Sequence, residues 1–305
     1  LNFQLVLLSL LFFVCTQAFG QNGPGKTWKA ISGKSSMPES GFQPSIPALE
    51  KGAAFELDMA AMKALGKTAK EESDGIAGNT GIIWLPLPDG SFQRFQVWES
   101  PLMEPELAAR YPDIKTYLLK GVDDPTSNGR MMISPSEFSA FFASLPNQQE
   151  VIIRKILKSD ATKYLSFWSK DDPASKDPIK CMRTDEMPSE PTENEGVQRM
   201  MTGPNDTGDE LRVFRMAMTV TGALSESYGW TTKAQALAAI VAFLGQINTI
   251  YERDLSVRFV LIADEDKLIF LSDATDPFVL NGGDESGNEN VMIVDQLIGA
   301  GAFDV

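Results

Sequence analysis

Apolar residues between positions 80 and 168 occur in short runs that turn residues separate. One run covers 82–87, Pro88-Asp89-Gly90-Ser91 supplies a turn, and a second run covers 92–98, which together predict a β-hairpin. The segment 101–111 opens with prolines and acidic residues and predicts a short helix. Further strands are predicted over 117–122, 129–134, 138–145 and 151–157. Residues 80–168 are therefore expected to form a β-rich domain.

The pattern changes after residue 210. Residues 211–221 and 255–263 are apolar and strand-like, and between them a helix capped by Thr231 or Thr232 is predicted to run to about Arg253. Its apolar positions recur every three or four residues and predict one buried face: Ala236, Ile240, Phe243, Leu244, Ile247, Ile250 and Tyr251.

Strand, helix and strand in that order predict an α/β domain over 211–305. A third strand is predicted at 267–271, an acidic loop at 272–290, a helix at 291–298 and the start of another strand at 303–305. Four apolar positions of this domain lack partners in the sequence that would cover them: Ile240, Ile247, Val260 and Ile262. We therefore expect this domain to fold poorly.

Two further segments lack periodicity. Residues 21–50 are rich in Gly, Ser, Pro and Lys and residues 66–79 are polar, so 21–79 are predicted to be a flexible leader with one short helix over 55–65. Residues 169–210 are dominated by Asp, Pro, Glu, Thr, Asn and Gly, a composition that cannot bury enough apolar surface to fold, so they are predicted to be a linker.

The first 20 residues carry no charge and contain the apolar run 5–15, followed by small residues at Ala18 and Gly20. This pattern is typical of a secretory signal peptide cleaved after Gly20, and the run is too short to span a membrane. A buried N-terminal helix is the alternative interpretation. A lipid anchor on Cys15 is disfavoured because bulky Val14 lies where a small residue is needed. We expect the protein to be secreted.

Composition removes several classes of function. The formal net charge is −14, which disfavours binding to nucleic acid or to an anionic membrane surface. The chain contains no histidine, so Ser-His-Asp and Cys-His catalysis are excluded within it. Phosphate-binding glycine loops, CxxC pairs and nucleophile-elbow motifs are also missing from the sequence.

Several stretches of the sequence, taken in their order, resemble those of a known family, the reprolysin-like (adamalysin-type) metzincin metallopeptidases. The resemblance is to the members secreted by bacteria, especially those of the Bacteroidetes type. In the first half the resemblance rests on LPLPDGSFQRFQVWESPLMEPELAARYPDIKTY and GVDDPTSNGR. In the second half it rests on LRVFRMAMTVTG, INTIYERDL, VRFVLIADEDKLIF and GNENVMIVDQLIGAGAFDV.

This resemblance implies a zymogen with a signal peptide, a β-rich pro-domain and a metzincin-like catalytic domain that hydrolyses peptide bonds with zinc-activated water. The family's HExxHxxGxxH helix supplies the zinc ligands and the catalytic glutamate. None of those positions exists in this sequence, so no catalytic or zinc-binding residue is carried over, and all of them are expected to lie beyond Val305.

The ends of the chain lead to a related expectation. The chain lacks an initiator Met and stops on the apolar stretch Ala302-Phe303-Asp304-Val305. We therefore expect an inactive fragment, cut at both ends, that holds the N-terminal half of the catalytic domain and stops before the active-site helix.

Cys181 is the one residue with a specific predicted role. It lies in the linker before the protease-like half, flanked by Lys180 and Arg183, which favour the thiolate form. In the resembled zymogens such a thiolate fills the fourth zinc position and excludes the catalytic water. A disulfide to a cysteine outside this chain and an inert thiol are the alternatives.

Three weaker candidates remain. The acidic segment, with Asp273, Asp276, Asp284 and Glu285, could ligate calcium, but its spacing matches no calcium-loop pattern and a solvated loop is favoured. Glu252 and Asp254 could form a carboxylate pair, although an exposed helix end with a local ion pair is favoured. Asn205 begins a glycosylation sequon.

Two other functions compete with the protease. One is a secreted, non-catalytic binding or adhesion module that is complete as written. The other is an enzyme that uses only carboxylates, such as a glycosidase, but no spacing of paired acids supports it. The protease interpretation implies protein or peptide substrates and an intramolecular pro-domain as partner.

Overall fold

A computed structural model describes residues 23–31, 51–74, 80–144, 149–157, 160–172, 210–279 and 284–305. The predicted signal peptide, Cys15, Cys181, the sequon at Asn205 and nearly all of the predicted linker lie outside these residues.

A large sheet forms the first region. Its strands are β1 (Trp28–Ala30), β2 (Ala53–Leu57), β3 (Lys70–Glu71), β4 (Gly81–Pro86), β5 (Phe92–Glu99), β6 (Lys115–Gly121), β7 (Asn128–Ile133), β8 (Phe138–Ser144), β9 (Gln149–Leu157) and β10 (Asp160–Trp168). They hydrogen-bond in the order β1-β2-β10-β9-β8-β7-β6-β5-β3, and β4 also pairs with β5. The pairs are antiparallel except for β3 with β5.

The sheet curls until its two ends meet. The Trp28 indole N–H donates to the carbonyl of Trp84 at 2.9 Å, and the Ser166 hydroxyl donates to the carbonyl of Pro86 at 2.8 Å, so β1 and β10 reach β4. The enclosed core is aromatic, with Trp28 packed edge-on against Phe138 at 5.5 Å between ring centroids.

The β-rich region begins earlier than the sequence predicts. β1, β2 and β3 all lie within the segment that composition predicted to be a leader, and the helix predicted over 55–65 is wrong in its first part. Phe55 and Leu57 are buried on either side of exposed Glu56, a strand period, and Asp58 then caps helix α1 (Met59–Gly66) by accepting from the Ala61 N–H.

Helix α2 (Pro105–Arg110) also lies in this first region, between β5 and β6. A smaller α/β region follows after β10. Its parallel strands β11 (Arg212–Met216) and β12 (Val257–Leu261) are joined through α3 (Gly222–Tyr228) and α4 (Lys233–Leu255), and α5 (Asp284–Ile298) completes it. Phe259 and Leu261 of β12 pack with α4, whereas Ile262 packs with α5, so the two helices lie on opposite faces of the strand pair.

Several element boundaries differ from prediction. The strand predicted over 211–221 ends at Met216, and the unpredicted helix α3 follows. The predicted third strand is a 3₁₀ turn, Glu265–Leu268, followed by a single bridge between Ile269 and Val220. The acidic loop is shorter than 272–290 because α5 starts at Asp284.

The strand predicted to start at 303–305 is not formed as an element, but its last residue pairs with the sheet. The Val305 N–H donates to the Arg215 carbonyl at 3.1 Å, and the Val305 carbonyl accepts the Ala217 N–H at 3.1 Å, which is the pattern of parallel pairing along β11. An ion pair between Arg215 and Asp304 at 2.8 Å fixes the segment. Val305 is still 53% exposed, because its side chain lies at the edge of this region.

Helix α4 is buried on more than the one predicted face. It packs between β12 and the outer side of β7 and β8, and its buried residues include Leu237, Val241 and Asn248. Phe243, predicted to be core, is 51% exposed. By length and composition α4 is the one helix among the described residues that could cross a membrane, but half of its apolar window is buried inside the molecule, as in a core helix.

The two regions share one apolar core. Leu102, Leu107 and Met132 from the first region cluster with residues of α4 and β12 from the second. Ile240 and Ile262, which were expected to lack covering partners, are 7% and 1% exposed. That expectation is wrong for them because the β-rich region covers α4 and α5 covers the other face. The other two positions, Ile247 and Val260, are half-buried.

Candidate functional site

A network of buried charges joins the two regions. Arg258 on β12 donates through Nη2 and Nη1 to the two carboxylate oxygens of Glu72, at 2.8 and 2.9 Å. Arg258 also contacts both oxygens of Glu252 near the end of α4, at 2.8 and 3.0 Å. Arg130 on β7 adds a bond from Nη2 to Glu252 at 2.6 Å and one from Nη1 to the Ser100 hydroxyl at 2.9 Å.

This network pairs two arginines with two glutamates, so its formal charges balance. Burial works to raise the pKa of Glu72, but hydrogen bonds from Arg258 and Ser100 outweigh burial and leave that pKa lowered. Burial lowers the pKa of Arg130, while for Arg258 the hydrogen bonds and charges of Glu252 and Glu72 overcome burial and raise the pKa. The carboxylates are occupied by guanidinium groups, so the network ties elements together and offers no free general base.

Sequence reasoning missed this network. The predicted local ion pair at this helix end forms between Arg253 and Asp254 at 2.6 Å, but Glu252, which was predicted to be exposed, has a side chain that is only 16% exposed. The available signal was a single charged residue inside each of two strands, Arg130 in β7 and Arg258 in β12. A buried charge requires a partner, but the sequence does not say which one.

A second buried carboxylate lies just beyond β12. Glu265 is fully buried and its two oxygens accept the Met218 N–H at 3.1 and 3.3 Å. Burial raises the pKa of Glu265 to about 8, and the nearby charge of Asp266 adds to this. Glu265 is thus mostly protonated at neutral pH and fixes the backbone after β11.

In the acidic segment, Asp276 uses its carboxylate to hold the backbone. Asp276 accepts the Gly222 N–H at 2.7 Å and the Phe278 N–H at 3.1 Å, while the Asp273 N–H donates to Glu226 at 3.0 Å. Asp284 and Glu285 begin α5. Within the ranges that the structure covers, no three His, Cys, Asp or Glu residues are placed to hold a metal ion, so the calcium prediction gains no support.

Comparison with known proteins gave one match, and it lies in the second region. Residues 210–304 match the family model described as Metallo-peptidase family M12B Reprolysin-like. The match covers about a third of the chain and coincides with the α/β region. No curated protein and no solved structure gave a significant match.

The match supports the resemblance over residues 210–304, and the family it points to is a zinc-dependent family of metallopeptidases. The described residues do not themselves fit a zinc centre. Histidine is missing from the whole sequence, Glu72 and Glu252 are paired with arginines, and Glu265 favours its neutral form, whereas zinc binds deprotonated ligands. No catalytic step is therefore assigned to these side chains.

The expected position of the catalytic residues beyond Val305 stays a prediction. The family match ends at Asp304, one residue before Val305, and therefore includes no residue that could test it. What the structure adds is the place of Val305, which lies beside β11 on the edge away from β12.

Proposed function

We propose that this chain is part of a secreted zinc endopeptidase, in which the α/β region is the first part of the catalytic domain and the β-rich region belongs to the zymogen. The observation that carries the proposal is the family match over 210–304, which begins where the α/β region begins. The parallel β11–α4–β12 unit supports it, because such a unit supplies a rigid frame on which a catalytic helix can be placed.

In this proposal the intact protein hydrolyses peptide bonds of protein or peptide substrates with zinc-activated water, and the zinc ligands come from residues beyond Val305 that these 305 do not contain. The 305-residue chain is then expected to bind no catalytic zinc and to cleave nothing. The apolar run 5–15 supports export.

The test compares two proteins. The full product of the gene is purified from its source and assayed on an unstructured protein substrate, with and without a zinc chelator, next to the 305-residue chain at the same concentration. We expect cleavage by the full product that the chelator abolishes and that added zinc restores, and none by the shorter chain. Cleavage that survives chelation would contradict the proposal. If the gene encodes nothing beyond these residues and the product is inactive, the binding-module alternative is favoured.

Latency is tested at Cys181. If its thiolate occupies the zinc of the latent enzyme, Cys181→Ala in the full product abolishes the block and gives proteolysis before any activating cleavage. Cys181→Ser, which keeps the size but is a poor zinc ligand, is expected to do the same. The control is Lys170→Ala, because Lys170 is exposed and precedes Cys181 in the chain. This variant should stay latent. Unchanged latency in both Cys181 variants would end this part of the proposal.

A further inference from the structure

Apolar contacts attach the β-rich region to the α/β region in two places. The apolar cluster between the regions contains fully buried side chains from each, including Leu102 and Leu107 on one side and Leu237, Val241 and Leu244 on the other. Ile250 of α4 packs in addition against a separate cluster on the outer face of β8, β9 and β10. Separation would expose all of these side chains to water.

Backbone pairing adds to the apolar contact. The Leu261 N–H donates to the Leu102 carbonyl at 2.9 Å, and the Glu104 N–H donates to the Leu261 carbonyl at 2.9 Å. The segment around Met103 thereby forms a parallel bridge with β12 and covers that edge of the strand pair. Glu104 also accepts the Ala263 N–H through its side chain at 2.6 Å.

Polar ties lie on two sides of the shared core. On one side is the network of Arg130, Glu252, Arg258 and Glu72. On the other, Arg110 of α2 pairs with Asp266 at 3.0 Å and also donates to the Ala263 carbonyl. Separation of the regions would break the ion pairs of Arg130 with Glu252 and of Arg258 with Glu72.

None of these contacts uses the chain between Asp172 and Glu210. We propose that the β-rich region remains bound to the α/β region after that connection is cut, as a lasting non-covalent partner and not as a segment that cleavage releases. The association does not depend on the peptidase proposal. Its consequence for activation does: cleavage within 195–210 would untether the Cys181 segment from the α/β region and leave the β-rich region in place.

The test uses the whole chain with the recognition sequence of a site-specific protease inserted between Asn194 and Glu195. After complete cleavage the protein is passed over a size-exclusion column with light scattering at about 1 µM, in 0.15 M and in 1 M NaCl. We expect one peak with the mass of one uncut copy in both salts, because apolar burial and backbone pairing are not screened by salt. Two separate peaks at 0.15 M NaCl would overturn the proposal. The readout is physical association, so an inactive protein does not affect it.

Matched variants locate the contact. Arg110→Ala removes an ion pair that crosses between the regions, whereas Arg94→Ala removes a pair of similar geometry and exposure, with Asp123, inside the β-rich region. In a dilution series of the cut protein, Arg110→Ala should raise the dissociation constant about 2- to 5-fold, the usual range for an exposed pair, and Arg94→Ala should leave it unchanged. Equal effects of the two variants would contradict the assigned interface.

Discussion

Glu265 shows how a single buried carboxyl can make folding sensitive to pH. Its side chain is excluded from water and is held by a backbone N–H, with no arginine or lysine among the causes of its shift. Burial raises its pKa from an ordinary value of 4.5 to about 8, so the folded protein binds a proton there that the unfolded chain releases. Stability is therefore highest below about pH 4.5 for this group and falls as the pH rises toward 8.

Replacing Glu265 by glutamine tests this reasoning. The amide keeps an oxygen for the Met218 N–H but cannot ionise, so we expect Glu265→Gln to remove the fall in stability between pH 5 and pH 8. At pH 8 the variant should be more stable than the parent by a few kcal/mol. Urea unfolding at both pH values measures it, with Glu56→Gln on the exposed side of β2 as the control, which should follow the parent. A parent and a Glu265→Gln variant with parallel pH profiles would refute the assignment.

At the scale of elements, α4 is fixed by a polar residue in its buried stripe. Asn248 donates from its side-chain nitrogen to the Phe259 carbonyl at 2.8 Å and accepts the Phe259 N–H at 2.8 Å. These two bonds satisfy the backbone of Phe259 and set the position of α4 along β12. Asparagine is a poor helix former, so its presence inside α4 reflects this contact and not local propensity.

We therefore expect Asn248→Ala to be costly. It leaves the N–H and the carbonyl of Phe259 buried without these partners, and the free energy of unfolding should fall by about 2–4 kcal/mol. Thr249→Val is the matched control at the adjacent buried position. Its hydroxyl bonds to the Gly245 carbonyl of the same helix, at 2.8 Å, so its loss should cost less than about 1 kcal/mol. Chemical denaturation of the two variants side by side decides the point; similar losses would mean that Asn248 does not hold the strand.

The elements that the sequence predicted well are those with a clean local period. The β4–β5 hairpin and α4 were placed within a few residues because apolar spacing and capping residues specify them. The strand at Ala53–Leu57 was taken for leader and helix because its short alternation runs directly into α1. α3 was missed because its seven residues begin with neither a proline nor an acidic residue, the signals that predicted the shorter helix α2. Phe243 was misassigned because periodicity identifies an apolar face but not how many neighbours cover the helix.

At the scale of the molecule, the local pattern of apolar and polar residues says little about how the two regions contact each other. The order of a β-rich region and an α/β region was predicted, and the family match falls on the second of them. The docking of the halves was not predicted, because Glu72 and Arg258 are 186 residues apart and Arg130 and Glu252 are 122 apart. Pairs so far apart in the chain produce no periodic pattern in the sequence. Because the docking could not be predicted, Ile240 was wrongly expected to lack a covering partner.

The charge network should therefore behave as a unit that only the docked molecule contains. Arg258→Met leaves Glu72 and Glu252 without their shared cation in a partly buried site, and unfolding should become easier by about 3–5 kcal/mol. This loss of stability should depend on pH. Because the pKa of Glu72 is lowered in the folded state, the network stabilises the protein above about pH 4.5, and this contribution is lost as the pH falls through the lowered pKa.

The parent and Arg258→Met should thus approach each other in stability toward pH 3 and diverge above pH 5, as urea unfolding over this range would measure. Arg94→Met, which breaks the exposed pair with Asp123, should leave the stability nearly unchanged at neutral pH. If Arg258→Met were no more costly than Arg94→Met, the network would be an incidental contact. The apolar core and the backbone pairing with β12 would then be what holds the two regions together.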